Sequence, residues 1–179
     1  SCGGIYLTGD VDYAEIIETD IINNNGGGVS SSSESLMIIN CRIDSNISNS
    51  TAGGAYILSN YTSIANTQFS FNEANDYSAL FVSSSEFILK NSTLTNNNDN
   101  SPHVAPLGFG SGNNKNYLVL NSIIYHPNHP NRDLYINGGN VSLHNNLFYH
   151  YNTSGYNGQV PNVDSNNEFS INNPFVDSQ

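Results

Sequence analysis

Basic residues are almost missing from this chain. Lys and Arg together number 4 against 15 Asp and Glu in 179 residues, and the net charge is −11. Nucleic acid and anionic membrane surfaces both require a basic face, so neither is an expected partner. Long apolar runs are missing as well. None approaches the ~20 residues of a membrane-spanning helix, and no insertion of this segment into a bilayer is expected. Cysteine is limited to Cys2 and Cys41, without a CxxC spacing; a disulfide and two small buried thiols both fit. The opening SCGGIY has no Met, no basic n-region and no apolar h-region. It reads as part of a longer chain, processed or excised.

What fills the chain instead is Asn and Ser, 32 and 25 residues, about a third of the total and far above ordinary usage. With 37% hydrophobic residues, 11 Tyr and 8 Phe, such a composition fits either a disordered tract or an ordered, turn-rich repeat. Periodicity decides between them.

The Asn in "SIANTQF" recurs in the same local setting in "LMIINCRI", "FILKNSTL", "YLVLNSII" and "VSLHNNLF", with Glu in its place in "AEIIETDI". The anchors are Glu18, Asn40, Asn66, Asn91, Asn121 and Asn145, 22 to 30 residues apart. Two positions earlier stand Ile16, Ile38, Ile64, Leu89, Val119 and Leu143, and three positions later Ile21, Ile43, Phe69, Leu94, Ile124 and Phe148. Just after each anchor comes a small or polar residue: Thr19, Cys41, Thr67, Ser92, Ser122 and Asn146. Four copies carry Asn again six positions after the anchor, at Asn24, Asn46, Asn72 and Asn97. A disordered tract has no reason to keep such columns, so this is an ordered repeat.

Asn, Ser, Thr and Gly are poor helix formers, and the apolar residues sit two apart, as in Ile5 and Leu7, Ala55 and Ile57, Leu80 and Val82. Short alternations separated by breakers signal short strands joined by tight turns. Three such strands per repeat, each stacked about 4.8 Å above the last, make an all-β parallel solenoid. Six or seven rungs are expected, a rod of roughly 30 Å. Asn40, Asn66, Asn91, Asn121 and Asn145 form a structural ladder at one corner, because Asn tolerates a left-handed backbone and can pass its side-chain amide to the next Asn. The pairs Gly3-Gly4, Gly27-Gly28 and Gly53-Gly54 mark a second corner needing a permissive φ or a close approach. The whole of 1–179 reads as one β-helix segment, with regular rungs over 1–100, an irregular rung over 101–137 and C-terminal rungs over 138–179.

"GGAYI" with "FSFN", and "GGV" with "IDSN" and "IINN", resemble the GGA(I/L/V) and FxxN motifs of chlamydial polymorphic outer membrane proteins. More broadly the repeat resembles the right-handed parallel β-helices of bacterial surface proteins and autotransporter passengers. "LVLNSIIYHPN", "NVSLHNNLFYH" and "NNPFVDSQ" resemble the last rungs of secreted β-helix proteins of Bacteroidota type, although Asn172-Asn173-Pro174 stands where Asp before Pro is usual. The resemblance implies a right-handed coil and an extracellular or cell-surface location. It does not imply one activity, because this fold hosts adhesins, lyases, hydrolases and spikes alike.

A lyase of this fold needs a strong base and often Ca²⁺ on clustered Asp, and a hydrolase needs two carboxylates on one glycosidic bond. Arg42 and Lys90 fall in different columns, only Lys115 and Arg132 accompany them, and the polygalacturonase pattern of NxD, DD, GHG and RxK is absent. No catalytic residue is assigned, and an enzyme is the less favoured reading. Asp10 and Asp12, with Glu15, Glu18 and Asp20 nearby, are the candidate metal site, with Ca²⁺ as the possible ion; the bland alternative is a solvated edge. His126 and His129, three apart with Asp133 beyond and His144 and His150 on the next rung, fit Zn²⁺ only weakly and read better as an exposed Pro-rich loop. Tyr6, Tyr56 and Tyr135 point outward by parity. They are candidate binding residues for sugar rings or a neighbouring subunit, unless Tyr merely suits a pleated surface. The N-x-S/T triplets at Asn60, Asn91, Asn140 and Asn152 are expected by chance in so Asn-rich a chain.

The function expected is therefore a non-catalytic extracellular β-helix segment acting as adhesin, stalk or filament-forming subunit. Its expected partners are neighbouring β-helix domains, copies of itself, or a host-surface or environmental polysaccharide. The alternative is a polysaccharide-active module, either a carbohydrate-binding β-helix or a lyase or hydrolase fragment. No cofactor beyond the possible Ca²⁺ is expected.

Overall fold

The computed structural model describes residues 3–100, 105–126, 134–148, 162–163 and 166–169. Among them there is no helix, and the strands stack as a parallel β-helix with three main sheets. The first sheet holds Ile5–Leu7, Val29–Ser31, Ala55–Ile57, Leu80–Val82, Leu107–Phe109 and Leu134–Ile136. The second holds Tyr13–Ile17, Ser35–Ile39, Tyr61–Ala65, Glu86–Lys90, Asn116–Leu120, Asn140–His144 and Asn162–Val163. The third runs from Asp20–Ile22 through Arg42–Asp44, Gln68–Ser70, Thr93–Thr95, Ile123–Tyr125 and Leu147–Phe148 to Glu168–Phe169. The strands are thus six deep in the first sheet and seven deep in the others, as the repeat count requires. A fourth, shorter ladder joins Glu73–Ala74 to Asn98–Asp99 and continues through bridges at Ile47 and Asn25; the repeat gave no sign of it.

The core is the set of inward columns. Ile38, Ile64, Leu89, Val119 and Leu143 are fully buried down the second sheet, and Ile43, Phe69, Leu94, Ile124 and Phe148 down the third. At about 1.5–3 kcal/mol for each large apolar side chain removed from water, these columns supply the main stabilisation. No strand needs to be long, because each pairs with the rung above and the rung below.

The corner between the second and third sheets is set by the anchors. Glu18, Asn40, Asn66, Asn91, Asn121 and Asn145 all take φ between 47° and 55°, the left-handed region that Asn tolerates best among side-chain-bearing residues. The side chains of Asn40, Asn66, Asn91 and Asn121 form the outer ladder: Asn66 Nδ2 donates to Asn40 Oδ1 (3.1 Å), Asn91 to Asn66 (3.3 Å) and Asn121 to Asn91 (3.2 Å). All of these anchors are exposed, so water competes for each bond.

Two inner ladders carry more of the polar accounting. In the column just after the anchors, the Thr67, Ser92 and Ser122 hydroxyls and the Asn146 carbonyl each accept the backbone N–H of the preceding rung. Cys41 occupies this column as a buried free thiol, its Sγ donating to the carbonyls of Ile16 and Ile39; Cys2 lies outside the described residues. Farther along, Asn24, Asn46, Asn72 and Asn97 pass amides inward from rung to rung at 2.8–3.0 Å. This ladder closes a second left-handed corner at Asn23, Ser45, Phe71 and Asn96.

The Gly pairs act through close approach more than through φ. A Cβ on Gly28 would meet the Gly54 carbonyl oxygen at 2.6 Å, and one on Gly53 the Glu73 carbonyl oxygen at 2.5 Å. Only Gly27 of the three pairs has a left-handed φ, of +93°. The backbones of successive rungs touch there, and no side chain fits between them.

Candidate functional site

A three-residue strand with apolar first and third positions turns its middle residue outward. Down the first sheet the middle residues are in register as Tyr6, Ser30, Tyr56, Phe81, Gly108 and Tyr135. The three tyrosines singled out by parity therefore share one outer column. Ser30, Tyr56, Phe81 and Tyr135 each stand ten residues before an anchor, a signal that would have placed Phe81 on the face as well. Tyr6 and Gly108 stand twelve and thirteen before theirs, which hides the column from a fixed offset.

The rings form a shelf. Tyr56 and Phe81 stack with centroids 5.3 Å apart and planes 13° apart. The rung at Gly108 has no side chain, and Tyr77 fills the gap from the preceding loop. Its ring lies 4.9 Å from Phe81 and 5.6 Å from Tyr135. A Cβ on Gly108 would run into that ring. Tyr77 holds this pose at φ 52°, a costly conformation for an aromatic residue. Burial, then the Tyr135, Asp76 and Asp99 charges, push its hydroxyl pKa up to about 12. The shelf runs Tyr56, Phe81, Tyr77, Tyr135 without interruption.

On the other side of Tyr56 the small side chain of Ser30 leaves a slot of about 560 Å³. Tyr6, Ser30 and Tyr56 of the sheet line it, together with Ser48, Ser50 and Thr51 from the neighbouring loop. Tyr6 is 67% exposed. Among the described residues no charged side chain lines the slot. A second groove of about 700 Å³ lies at the outer Asn corner, between Asn66, Asn91, Gln68, Thr93, Asn96 and the ring of Tyr125. The amides of Asn66 and Asn91 there are already engaged in the outer ladder.

The remaining candidates are scattered. Asp10 and Asp12 are exposed, as are Glu15 and Glu18. Asp20 pairs with Arg42 at 3.1 Å on the surface. Glu15 accepts the Tyr13 hydroxyl, which raises that phenol's pKa. Among the described residues no three His, Cys, Asp or Glu side chains gather as a metal cluster. His126 is not in an exposed loop, as the Pro-rich sequence suggested. It is buried, with Nδ1 3.3 Å from the Asn97 backbone carbonyl at the end of the inner Asn column. His129, Asp133, His150, Arg132, Asn152 and Asn172–Pro174 fall outside the described residues. Asn60 donates to Glu34 and Asn140 to Asn116, both on the exposed start of the second sheet. Lys115 leans on Ser83, and burial lowers its pKa.

Compared with protein-family models, with curated proteins and with solved structures, the chain matches none of them.

Proposed function

We propose that this chain is a non-catalytic segment of an extracellular surface or secreted protein, a rod that displays the outer face of its first sheet to polysaccharide. The observation that carries this reading is the register of Tyr6, Tyr56, Phe81 and Tyr135 on one column, with Tyr77 filling the rung between the last two. Aromatic faces held rigidly at rung spacing offer flat apolar surface with hydroxyl tips, which suits the faces and edges of sugar rings and costs little side-chain entropy. The likeness of the GGA and FxxN repeats to chlamydial surface proteins, and of the C-terminal rungs to secreted β-helix proteins of Bacteroidota type, supports an extracellular, bacterial setting. Neighbouring β-helix domains or copies of the chain stacked on its end rungs are the proposed structural partners, in a stalk or filament.

The test is binding to immobilised neutral and acidic polysaccharides. The wild-type chain is expected to be retained, and the double variant Tyr56→Ala, Tyr135→Ala to elute early with unchanged circular dichroism. Equal retention of both refutes the reading. The polysaccharide-active alternative is separated in the same experiment: cleavage products that vanish on Asp10→Ala or Asp12→Ala overturn the non-catalytic assignment.

A further inference from the structure

The geometry points to the Tyr6–Ser30–Tyr56 slot as a seat for a single neutral pyranose ring of a glycan, clamped between two tyrosine faces. The inference rests on the reading of the first sheet as a glycan-binding face and adds to it a defined subsite and a ligand class. Three features of the slot carry it.

The first is its width. Tyr6 and Ser30 are paired in register, as are Ser30 and Tyr56, so the two tyrosines are two rungs apart, about 10 Å along the rod. A ring held between two faces at van der Waals contact needs about 3.5–4 Å on each side. That totals about 7–8 Å, and the remainder accommodates the pucker and axial groups of a saturated ring better than a flat aromatic one.

The second is orientation. One face of Tyr56 stacks nearly parallel on Phe81, so its opposite face is the one that Phe81 leaves uncovered. A clamp needs that face, and the shelf behind Tyr56 keeps the ring from folding back into the slot.

The third is chemistry. Among the described residues the lining offers the hydroxyls of Ser30, Ser48, Ser50 and Thr51 and no charged side chain. Sugar hydroxyls can donate to and accept from such groups. A uronic acid or a phosphate would find no cation in the slot and a chain of net charge −11 around it, so acidic glycans are disfavoured. Rings beyond the clamp can continue along the Phe81, Tyr77 and Tyr135 shelf.

The test titrates the chain with a β-linked glucose tetrasaccharide, an N-acetylglucosamine tetrasaccharide and a galacturonic acid tetrasaccharide. Calorimetry reads the affinity and two-dimensional NMR reports which residues shift. One or both neutral ligands are expected to bind and to shift Tyr6, Ser30 and Tyr56. Ser30→Tyr fills the slot with a third ring in register and leaves the shelf intact; it is expected to weaken neutral binding at least tenfold. Tyr6→Ala, at an exposed position that folding does not need, is expected to weaken it about tenfold or less, the scale of one lost stacking contact. Tyr135→Ala, at the far end of the shelf, is expected to change it less than threefold. Neutral binding that survives Ser30→Tyr but is lost on Tyr135→Ala overturns the clamp and leaves the glycan-binding face standing. A preference for the acidic ligand likewise overturns only the clamp. Absence of binding to all three, together with no retention on any immobilised polysaccharide, overturns both.

Discussion

Truncating Asn72 to Ala is expected to destabilise the rod far more than losing Asn66, although both are rungs of Asn ladders. Asn72 is fully buried. Its Oδ1 accepts the Asn46 backbone N–H at 3.1 Å and the Asn46 side-chain amide at 3.0 Å. Its Nδ2 donates to the Ile43 carbonyl and to Asn97 Oδ1, both at 2.9 Å. After truncation the Asn46 amide keeps its bond to the Ile21 carbonyl, and Asn97 Oδ1 keeps the Asn72 backbone N–H. The Asn46 backbone N–H loses its acceptor and the Ile43 carbonyl loses a donor, away from water. At about 1–3 kcal/mol per buried group left unsatisfied, the cost is about 2–5 kcal/mol. For a domain of this size that lowers the melting midpoint by about 4–20 °C. Asn66→Gly is the control. Asn66 is exposed, so water replaces its two ladder bonds, and Gly accepts φ 51° without strain; a change of at most about 0.5 kcal/mol is expected. Thermal melts followed by far-UV circular dichroism, with urea titrations to check that the m-value is unchanged, compare the two. If Asn72→Ala melts within 2 °C of Asn66→Gly, a shift of about 1 kcal/mol or less for a domain of this length, the inner amide column is not what closes that corner.

Two further outcomes follow from the backbone and from the buried phenols. Phe71 sits at φ 50° with 59% of its surface exposed, so it carries left-handed strain and buries little; Phe71→Gly is expected to stabilise by roughly 1 kcal/mol, read in the same melts, and a loss of stability refutes this. Tyr77 keeps its proton in the folded state up to about pH 12, whereas an unfolded tyrosine releases it near pH 10. The folded chain then binds more protons between those values, and stability falls as pH rises through that window. Tyr117, fully buried with its hydroxyl on the Gly110 carbonyl, is raised by burial and acts in the same direction. Urea midpoints are expected to drop between about pH 10 and 12, and less steeply in Tyr77→Phe; identical pH profiles for the two chains exclude Tyr77 as a contributor.

Much of the rod is legible along the chain because its constraints are local. A left-handed corner restricts which residues can occupy it, so the anchors announce themselves as Asn. An inward column must be apolar on every rung, so Ile38, Ile64, Leu89 and their fellows repeat at a fixed offset. The corner at Phe71 obeys the same geometry with the wrong residue type, and Tyr77 is another aromatic at left-handed φ. Neither is announced by its residue type, because there the surroundings override residue preference. His126 is of the same kind: its local sequence is that of a loop, and only the stack above Asn97 buries it.

The candidate face divides along the same line. Alternation within a three-residue strand was enough to turn Tyr6, Tyr56 and Tyr135 outward, since successive side chains of a strand must point to opposite sides. Which outward residues become neighbours depends on rung-to-rung register, and loops of unequal length between anchors hide that register from the sequence. The stacking of Tyr56 on Phe81, the entry of Tyr77 over Gly108 and the slot left by Ser30 are contacts between residues 20 or more positions apart or between a loop and a sheet. Periodicity determined the solenoid and its columns, because each rung repeats the same local demands on the chain. The tertiary structure alone decided which columns meet at the surface, because those contacts are made across rungs.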